Sequence, residues 1–336
     1  MAAGFKTATV NASDVPSTQT NFPSYVDLDR LGVTTLAEAQ SIRVYADEAK
    51  TVEWAREIVS ATEMHVKVPS LTSTVDIYVD WDGVRSDYAV TATYGSIAVW
   101  VDYLIVTHGN NNTDSAGNYD STGMTLGGET GKIGTASYFD NSSQFIYSND
   151  AELTEIKNRS ISMTMWVKNM RTTSGAEAQL FGNYPGNGPS PNQFFGMWVT
   201  SSGIPYVAMR RDDGAQTIIS DDGLSVNTST WQKLTFVKDG LDFRFFQNGT
   251  QVGSDVSFST EGNTRNGFNL GGGVSIDDRF NTGYFEEVRY RDSLVTANWE
   301  TAEYNNQNSY STFYSVAAVA GGSAAQAARR GAVMMM

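Results

Sequence analysis

Ser160-Ile161-Ser162-Met163-Thr164-Met165-Trp166-Val167 is the stretch on which the fold turns. Successive side chains of a strand point to opposite faces, so Ile161, Met163, Met165 and Val167 share one face while Ser160, Ser162, Thr164 and Trp166 share the other. The first face is that of a core strand. Further along, Leu241-Asp-Phe-Arg-Phe-Phe-Gln247 leads into Asn248-Gly249 and then Thr250-Gln-Val252. Asn-Gly tolerates the positive φ that a two-residue turn between twisted strands requires, which predicts a β-hairpin. Short apolar runs recur around these elements, at 136–139, 195–199, 206–209, 234–237 and 243–246, separated by turn signals and with no amphipathic helix between them. That rhythm predicts an antiparallel sandwich rather than a parallel sheet.

Toward the amino terminus the pattern is mixed. Leu36-Ala-Glu-Ala-Gln40 and Asp47-Glu-Ala-Lys50 have helix-forming composition, whereas Ile42-Arg-Val-Tyr45 alternates like a strand. Met64, Val66 and Val68 alternate with polar residues up to Pro69, and Val75, Ile77 and Val79 do the same after a turn-like 69–74 segment. This predicts a hairpin with one wet face. The apolar stretch 97–106 gives way to Gly109-Asn-Asn-Asn-Thr113, a polar, turn-rich run that marks a domain boundary. The expected organisation is a small β domain over 1–108, a larger sandwich over 109–314 and a tail over 315–336.

A chain of 336 residues with 40% hydrophobic and 12% aromatic residues has material for two cores. Its 23 Lys+Arg against 37 Asp+Glu leave a net charge of -14, which repels a phosphate backbone and argues against nucleic-acid binding. The absence of cysteine removes disulfides, thiolate metal sites and cysteine nucleophiles. No apolar run reaches bilayer-spanning length and the first ten residues hold no signal-type apolar core, so the expectation is a soluble chain made in a cytoplasm.

Enzyme motifs fail one by one. Gly127-Gly-Glu-Thr-Gly-Lys132-Ile133 has the outline of a phosphate loop, but its first glycine is out of register and Ile133 stands where a hydroxyl would bind metal, so it reads as a turn before a strand. There is no nucleophile elbow and no paired-histidine zinc motif, and the only two histidines, His65 and His108, stand far apart in the sequence, the second at the domain boundary. Glu286 and Glu287 are adjacent, hence on opposite faces of an ideal strand and unable to form the carboxylate pair of a glycosidase. Glu287 and Arg289 share a face and read as an ion pair.

The ordered segments Gly131-Lys-Ile-Gly-Thr-Ala-Ser-Tyr-Phe-Asp140, Ile161-Ser-Met-Thr-Met-Trp-Val-Lys168, Trp231-Gln-Lys-Leu-Thr-Phe-Val-Lys-Asp-Gly240, Phe246-Gln-Asn-Gly-Thr-Gln-Val-Gly253 and Gly283-Tyr-Phe-Glu-Glu-Val-Arg289 resemble the laminin-G-like, concanavalin A-type jelly roll of many bacterial and phage proteins. Upstream, Asn21-Phe-Pro-Ser-Tyr-Val26, Ser41-Ile-Arg-Val-Tyr-Ala-Asp47, His65-Val-Lys-Val-Pro-Ser-Leu-Thr-Ser73 and Asp76-Ile-Tyr-Val-Asp-Trp81 resemble a β domain of no assigned function that precedes such jelly rolls. The resemblance implies an all-β chain, a small β-sandwich followed by a jelly-roll sandwich and a short docking tail, and it makes residues 42–45 a strand. It transfers no function, since this scaffold hosts lectins, adhesion modules, glycosidases and structural modules alike.

Relatives of the fold hold calcium through acidic and carbonyl oxygens, which makes Asp140 and Asn141 the candidate ligands for a possible Ca2+, with Asp277-Asp278 as the alternative. Sugar recognition needs aromatic planes and planar polar groups on loops. The Gly/Pro/Asn-rich segment from Asn183 and Tyr184 to Asn192, and Trp198 opposite the Met197/Val199 face, are the glycan candidates; the competing reading of Trp198 is packing against a neighbour. In the tail, Arg329, Arg330, Met334, Met335 and Met336 are candidates for docking to a partner chain. The expected function is a non-enzymatic phage virion component at the head or tail surface, in an oligomeric assembly with other virion proteins, contacting a host surface glycan or decorating the particle and released by host lysis. The alternatives are an extracellular bacterial carbohydrate-binding or adhesion protein and a glycan-active hydrolase.

Overall fold

The computed structural model describes residues 3–72, 74–109, 113–120, 129–140, 145–147, 159–172, 178–182, 194–210, 216–220, 225–257, 268–271 and 281–319. Contacts divide the chain into two units, one made of residues 1–101 together with 301 onward, the other of residues 102–300. The second is therefore inserted into the sequence of the first. Among the described residues no helix is long and apolar enough to cross a membrane.

The discontinuous unit opens with β1 (Gly4–Val10), β2 (Gln19–Asp27), α1 (Leu28–Leu31), α2 (Leu36–Gln40), β3 (Arg43–Tyr45), β4 (Glu53–Trp54), β5 (Arg56–Ile58), β6 (Glu63–Leu71), β7 (Asp76–Trp81) and α3 (Ser96–Val99). Residues 36–40 form the helix α2 and 43–45 the strand β3, as read, whereas Asp47-Glu-Ala-Lys50 forms no helix but a turn between β3 and β4, the Lys50 amide donating to the Asp47 carbonyl at 3.1 Å. Thr35 caps α2 by accepting from the Glu38 amide at 3.2 Å, Glu38 reaches back to the Thr34 amide at 2.9 Å, and the strand β3 comes directly after.

The inserted unit contains β8 (Tyr103–Thr107), β9 (Glu129–Thr130), β10 (Thr135–Asp140), β11 (Phe145–Tyr147), β12 (Ile161–Thr172), β13 (Ala178–Gly182), β14 (Phe194–Val199), β15 (Pro205–Arg210), β16 (Gln216–Ser220), β17 (Gln232–Asp239), β18 (Asp242–Gln247), β19 (Thr250–Ser257), β20 (Phe268–Leu270) and β21 (Asn281–Arg291). The helix α4 (Ala297–Asn308) begins in it, and α5 (Tyr310–Phe313) and β22 (Tyr314–Ala318) belong to the first unit.

Two sheets of the inserted unit enclose one core. The eight-stranded sheet runs β19-β18-β17-β12-β21-β10-β9 with β8 beside β21, and the six-stranded sheet runs β11-β20-β13-β14-β15-β16. Ile161, Met163, Met165, Val167, Phe236 and Phe285 from the first meet Leu180, Met197, Val199, Val207 and Leu270 from the second. Every strand expected between 136 and 246 is present, and the β18–β19 hairpin turns on Asn248 (φ 53°) and Gly249 (φ 76°). Asn248 serves the turn twice, because its Oδ1 also accepts from the Lys233 amide at 2.9 Å.

The discontinuous unit has a five-stranded sheet, β22-β1-β7-β3-β4, and a three-stranded sheet, β2-β6-β5. The expected hairpin is thus corrected: β6 and β7 are strands, but they lie in different sheets, and neither leaves a wholly wet face, since Glu63 and His65 on β6 are buried. Alternation reports which side chains share a face, not which strand is the partner.

The chain end departs further from expectation. Residues 314–318, where the tail docking on a partner chain was expected to begin, instead form an antiparallel edge strand on the chain's own β1, with register Lys6↔Ala318 to Val10↔Tyr314. Arg30 donates to the carbonyls of Tyr310 (2.7 Å) and Tyr314 (3.0 Å), and the Tyr314 hydroxyl accepts from the Asp27 amide at 2.6 Å. On β2, Asn306 acts as a one-residue substitute for a strand, accepting from the Tyr25 amide at 2.7 Å and donating to the Tyr25 carbonyl at 3.0 Å. The expected boundary at 108/109 also moves, because β8 pairs with β21 and belongs to the inserted unit. Helix α4 was absent from the sequence expectation: Glu300, Glu303, Asn306 and Gln307 are its buried side chains along with Trp299 and Ala302, so it carries no apolar stripe to detect.

Candidate functional site

On the face of the eight-stranded sheet away from the core, β10, β12 and β21 build a cleft of about 280 Å³ lined by Tyr138, Asn169, Arg171, Asn227, Thr282, Gly283 and Tyr284. The alternation that sends Phe139 and Phe285 into the core, stacked at 4.1 Å between ring centroids, sends their neighbours Tyr138 and Tyr284 the other way. These tyrosines are direct cross-strand partners, with centroids 5.0 Å apart and rings tilted by 51°. Lys168 lies 5.0 Å from the Tyr284 ring and 4.9 Å from the Trp231 ring, and pairs with Glu129 at 3.1 Å, so the aromatic wall has a fixed cationic edge.

The polar wall arises from a bulge. The register of β12 on β21 passes from Lys168↔Tyr284 to Arg171↔Thr282, one extra residue on β12. Asn169 takes the left-handed conformation (φ 55°), and Gly283 (φ 138°) faces it so closely that a Cβ there would stand 2.8 Å from the Asn169 carbonyl oxygen. Only glycine fits. The displaced strand is held by backbone hydrogen bonds that the Asn169 amide donates to the Thr228 carbonyl (2.8 Å) and the Met170 amide to the Val226 carbonyl (2.9 Å), which place Asn227 on the cleft. Bulges bend a strand and re-aim its side chains, and here three exposed ones, Asn169, Arg171 and Asn227, converge on the tyrosines. Arg171 Nε donates to Thr282 Oγ1 at 3.3 Å. The side-chain amides of Asn169 and Asn227 make no hydrogen bond among the described residues, which leaves donors and acceptors facing the cleft.

A second bulge corrects the expectation for Glu286 and Glu287. Glu287 has φ 54°, the register shifts between Trp166↔Glu286 and Thr164↔Arg289, and both Phe285 and Val288 enter the core. Both carboxylates therefore leave the core face together. Each is spent internally. Glu287 sits between His108 and Arg289, whose Nε donates to it at 3.0 Å, so the ion pair expected from the sequence is present. Glu286 accepts from the consecutive backbone amides of Lys132, Ile133 and Gly134. Residues 131–134, which include the end of the phosphate-loop-like sequence, are the β9–β10 turn, and their amides cradle a carboxylate of the same chain. A Cβ on Gly131 would collide with the Glu286 carboxylate, which explains the glycine. Burial pushes the Glu286 carboxyl up to about 7, with Glu287 adding to the effect and the three amides opposing it. Exposures of 0% and 1% close both carboxylates off from any open groove.

The sequence candidates fare differently from this cleft. Trp198 stands opposite Met197 and Val199 as expected, but it is 1% exposed, between Gln179 and Tyr206 across the strands, and offers no ring face to a sugar. Packing is its role here. Asn183, Tyr184, Asn192, Asn141, Asp277 and Asp278 lie outside the described residues, as do Arg329, Arg330, Met334, Met335 and Met336. Asp140 closes β10 opposite Thr282. The cleft residues themselves were missed, although Ser137-Tyr138-Phe139 and Gly283-Tyr284-Phe285 repeat a Tyr-Phe pair in two of the motifs already singled out. Read as outward-inward alternation on neighbouring strands, that repeat marks the aromatic wall.

Residues 139–299 match the family model of the concanavalin A-like lectin/glucanases superfamily. No curated protein sequence matches the chain. Among solved structures, the binding domain of Paraclostridial Mosquitocidal Protein 1 is similar at 13% identity and a TM-score of 0.50, over 62% of this chain and 52% of that one. The botulinum neurotoxin serotype D ligand binding domain, solved in complex with N-acetylneuraminic acid, is similar at 12% identity and a TM-score of 0.49, over 63% of this chain and 53% of that one. The chain thus spans about half the length of these structures. Residues 139–299 are a laminin-G-like domain with the concanavalin A-like jelly-roll fold.

Proposed function

We propose that the jelly roll is a saccharide-binding module that acts without catalysis, and that its ligand lies in the cleft between the Tyr138/Tyr284 wall and the side chains of Asn169, Arg171 and Asn227. The observation that carries this reading is the pairing of two cross-strand tyrosines with exposed side-chain amides that make no internal hydrogen bond among the described residues. Sugar rings present C–H faces that pack on aromatic planes and hydroxyls that need planar donors and acceptors, and the cleft supplies both. The two buried glutamates support a binding role over hydrolysis, because neither carboxylate reaches a substrate-sized opening. The test is a glycan array followed by calorimetry. Tyr284→Ala should lower affinity for the best ligand about tenfold or more, given the typical contribution of a buried aromatic contact. Undiminished binding by that variant would remove the cleft as the site.

The proposed setting is the surface of a phage particle, with host glycan as ligand and other virion proteins as partners. Its support is the resemblance of both halves of the chain to modules of phage and bacterial surface proteins. Mass spectrometry of purified particles decides it, since a protein secreted by a bacterium would be found in culture supernatant and not in virions.

A further inference from the structure

We infer that the ligand of the cleft is an acidic saccharide, one bearing a carboxylate, and that Arg171 is the residue that selects it. This rests on the reading of the cleft as a saccharide site. The warrant is how the chain otherwise treats its arginines. Arg43 lies 3.9 Å from Glu53, Arg56 is 2.5 Å from Asp87, Arg85 is 3.0 Å from Asp80, and Arg159 is 3.6 Å from Asp292. Arg244 meets Asp255 at 2.9 Å, Arg289 meets Glu287, and Arg291 is 3.5 Å from Asp102. Arg30 spends its guanidinium on two carbonyls. Among the described side chains, Arg171 is the arginine with neither an acid nor a carbonyl for a partner, in a chain whose acids outnumber its bases by 37 to 23.

Its one hydrogen bond among the described residues is informative. Thr282 Oγ1 accepts from Nε at 3.3 Å, which orients the guanidinium and, among the described residues, leaves its Nη1/Nη2 edge uncommitted. That edge presents two parallel N–H donors at the spacing of a carboxylate's two oxygens, and a pre-oriented fork loses less freedom on binding than a mobile lysine would. The bulge at Asn169 brings this fork to the same cleft as Tyr284, so a pyranose packed on the tyrosine could extend its acid group to Arg171 while Asn169 and Asn227 serve its hydroxyls. A neutral sugar would leave the fork unpaired.

The test pairs variants with modified ligands. The full chain is applied to an array of neutral, carboxylated and sulfated oligosaccharides, and the affinity for the best carboxylated ligand is compared with that for the same ligand after its carboxyl is reduced to the alcohol. Reduction should weaken binding roughly tenfold or more, as expected for loss of a charge-assisted pair, and the carboxylated ligand should lose affinity as salt is raised. Arg171→Gln should lose the same factor on the carboxylated ligand and bind the reduced one as wild type does; Arg171→Lys should recover only part. Equal affinity of wild type for the acid and alcohol forms, or preference for neutral or sulfated ligands, overturns the assignment of a carboxylate while leaving the saccharide site standing. Absence of binding to every sugar, or binding untouched by Tyr284→Ala, overturns the underlying reading and this one with it.

Discussion

The jelly roll is assembled from one uninterrupted stretch, residues 102–300, whereas the smaller unit joins residues 1–101 to 301 onward. In the jelly roll, hairpins such as β17–β18–β19 find their partners within a few residues, and the core closes between two sheets of the same stretch. In the smaller unit, β1 is flanked on one side by β7 and on the other by β22, more than 300 residues away, and the outer edge of β2 is satisfied by an asparagine on α4. Local chemistry suffices to specify the first; the second depends on what the chain does after its insertion ends.

The largest expected effect breaks that difference open. Ending the chain after Ser309 removes α5 and β22, bares the edge of β1 and takes the Tyr314 hydroxyl from the Asp27 amide. The smaller unit should lose hydrogen-exchange protection over β1, β2 and β7 while the jelly roll keeps its own. Retained protection in β1 would mean that the distant strand is dispensable. Next in size is a defect confined to the jelly roll. Glu300 holds the Lys233 ammonium at 2.8 Å and accepts from Thr235 at 2.8 Å, with both charged partners 1% exposed. Glu300→Ala leaves a buried ammonium without its carboxylate, an arrangement that costs about 3–5 kcal/mol. Denaturant titration should show the loss in the jelly-roll transition, and a change below about 1 kcal/mol would indicate that water or other acceptors replace the carboxylate.

The smallest effect sharpens the comparison through pH. Glu286 titrates near 7 in the fold against 4.5 when exposed, so between those values the unfolded chain has released its proton and the folded one has not. The resulting contribution is complete below about pH 4.5 and disappears as pH rises toward 7. The jelly-roll melting temperature should fall across that window, and Glu286→Gln should flatten the slope without touching the transition of the smaller unit. An unchanged slope in the variant would assign the titration elsewhere.

Legibility in the sequence divides along the same line. The alternation of Ile161, Met163, Met165 and Val167, and the Asn248-Gly249 turn, are local signals, and the jelly-roll strands appear where they predict. Two bulges escaped because an extra residue leaves no mark on composition: Asn169 and Glu287 are ordinary polar residues in strands, yet each occupies a left-handed conformation that reverses the facing of the residues after it. The cleft escaped for a related reason, since Tyr138, Arg171, Asn227 and Tyr284 come together only through strand order. The partners of β6 and β7 were misassigned because proximity in sequence favours a hairpin, and here the chain crosses between sheets instead. Trp198 was placed on the correct face, and its burial fits the packing reading given beside the sugar one; periodicity could not decide between them, because it does not reveal that Gln179 and Tyr206 flank a buried ring.

The separation of β1 from β22 sets a schedule for biosynthesis. At about 5–20 residues per second, a ribosome needs roughly 15–60 s after releasing β1 to deliver the strand that covers it. Throughout that interval the nascent chain carries an open ladder of amides and carbonyls while the jelly roll condenses behind it. Translation speed and holdase chaperones, more than native-state contacts, should then govern how much of this polypeptide reaches its finished form.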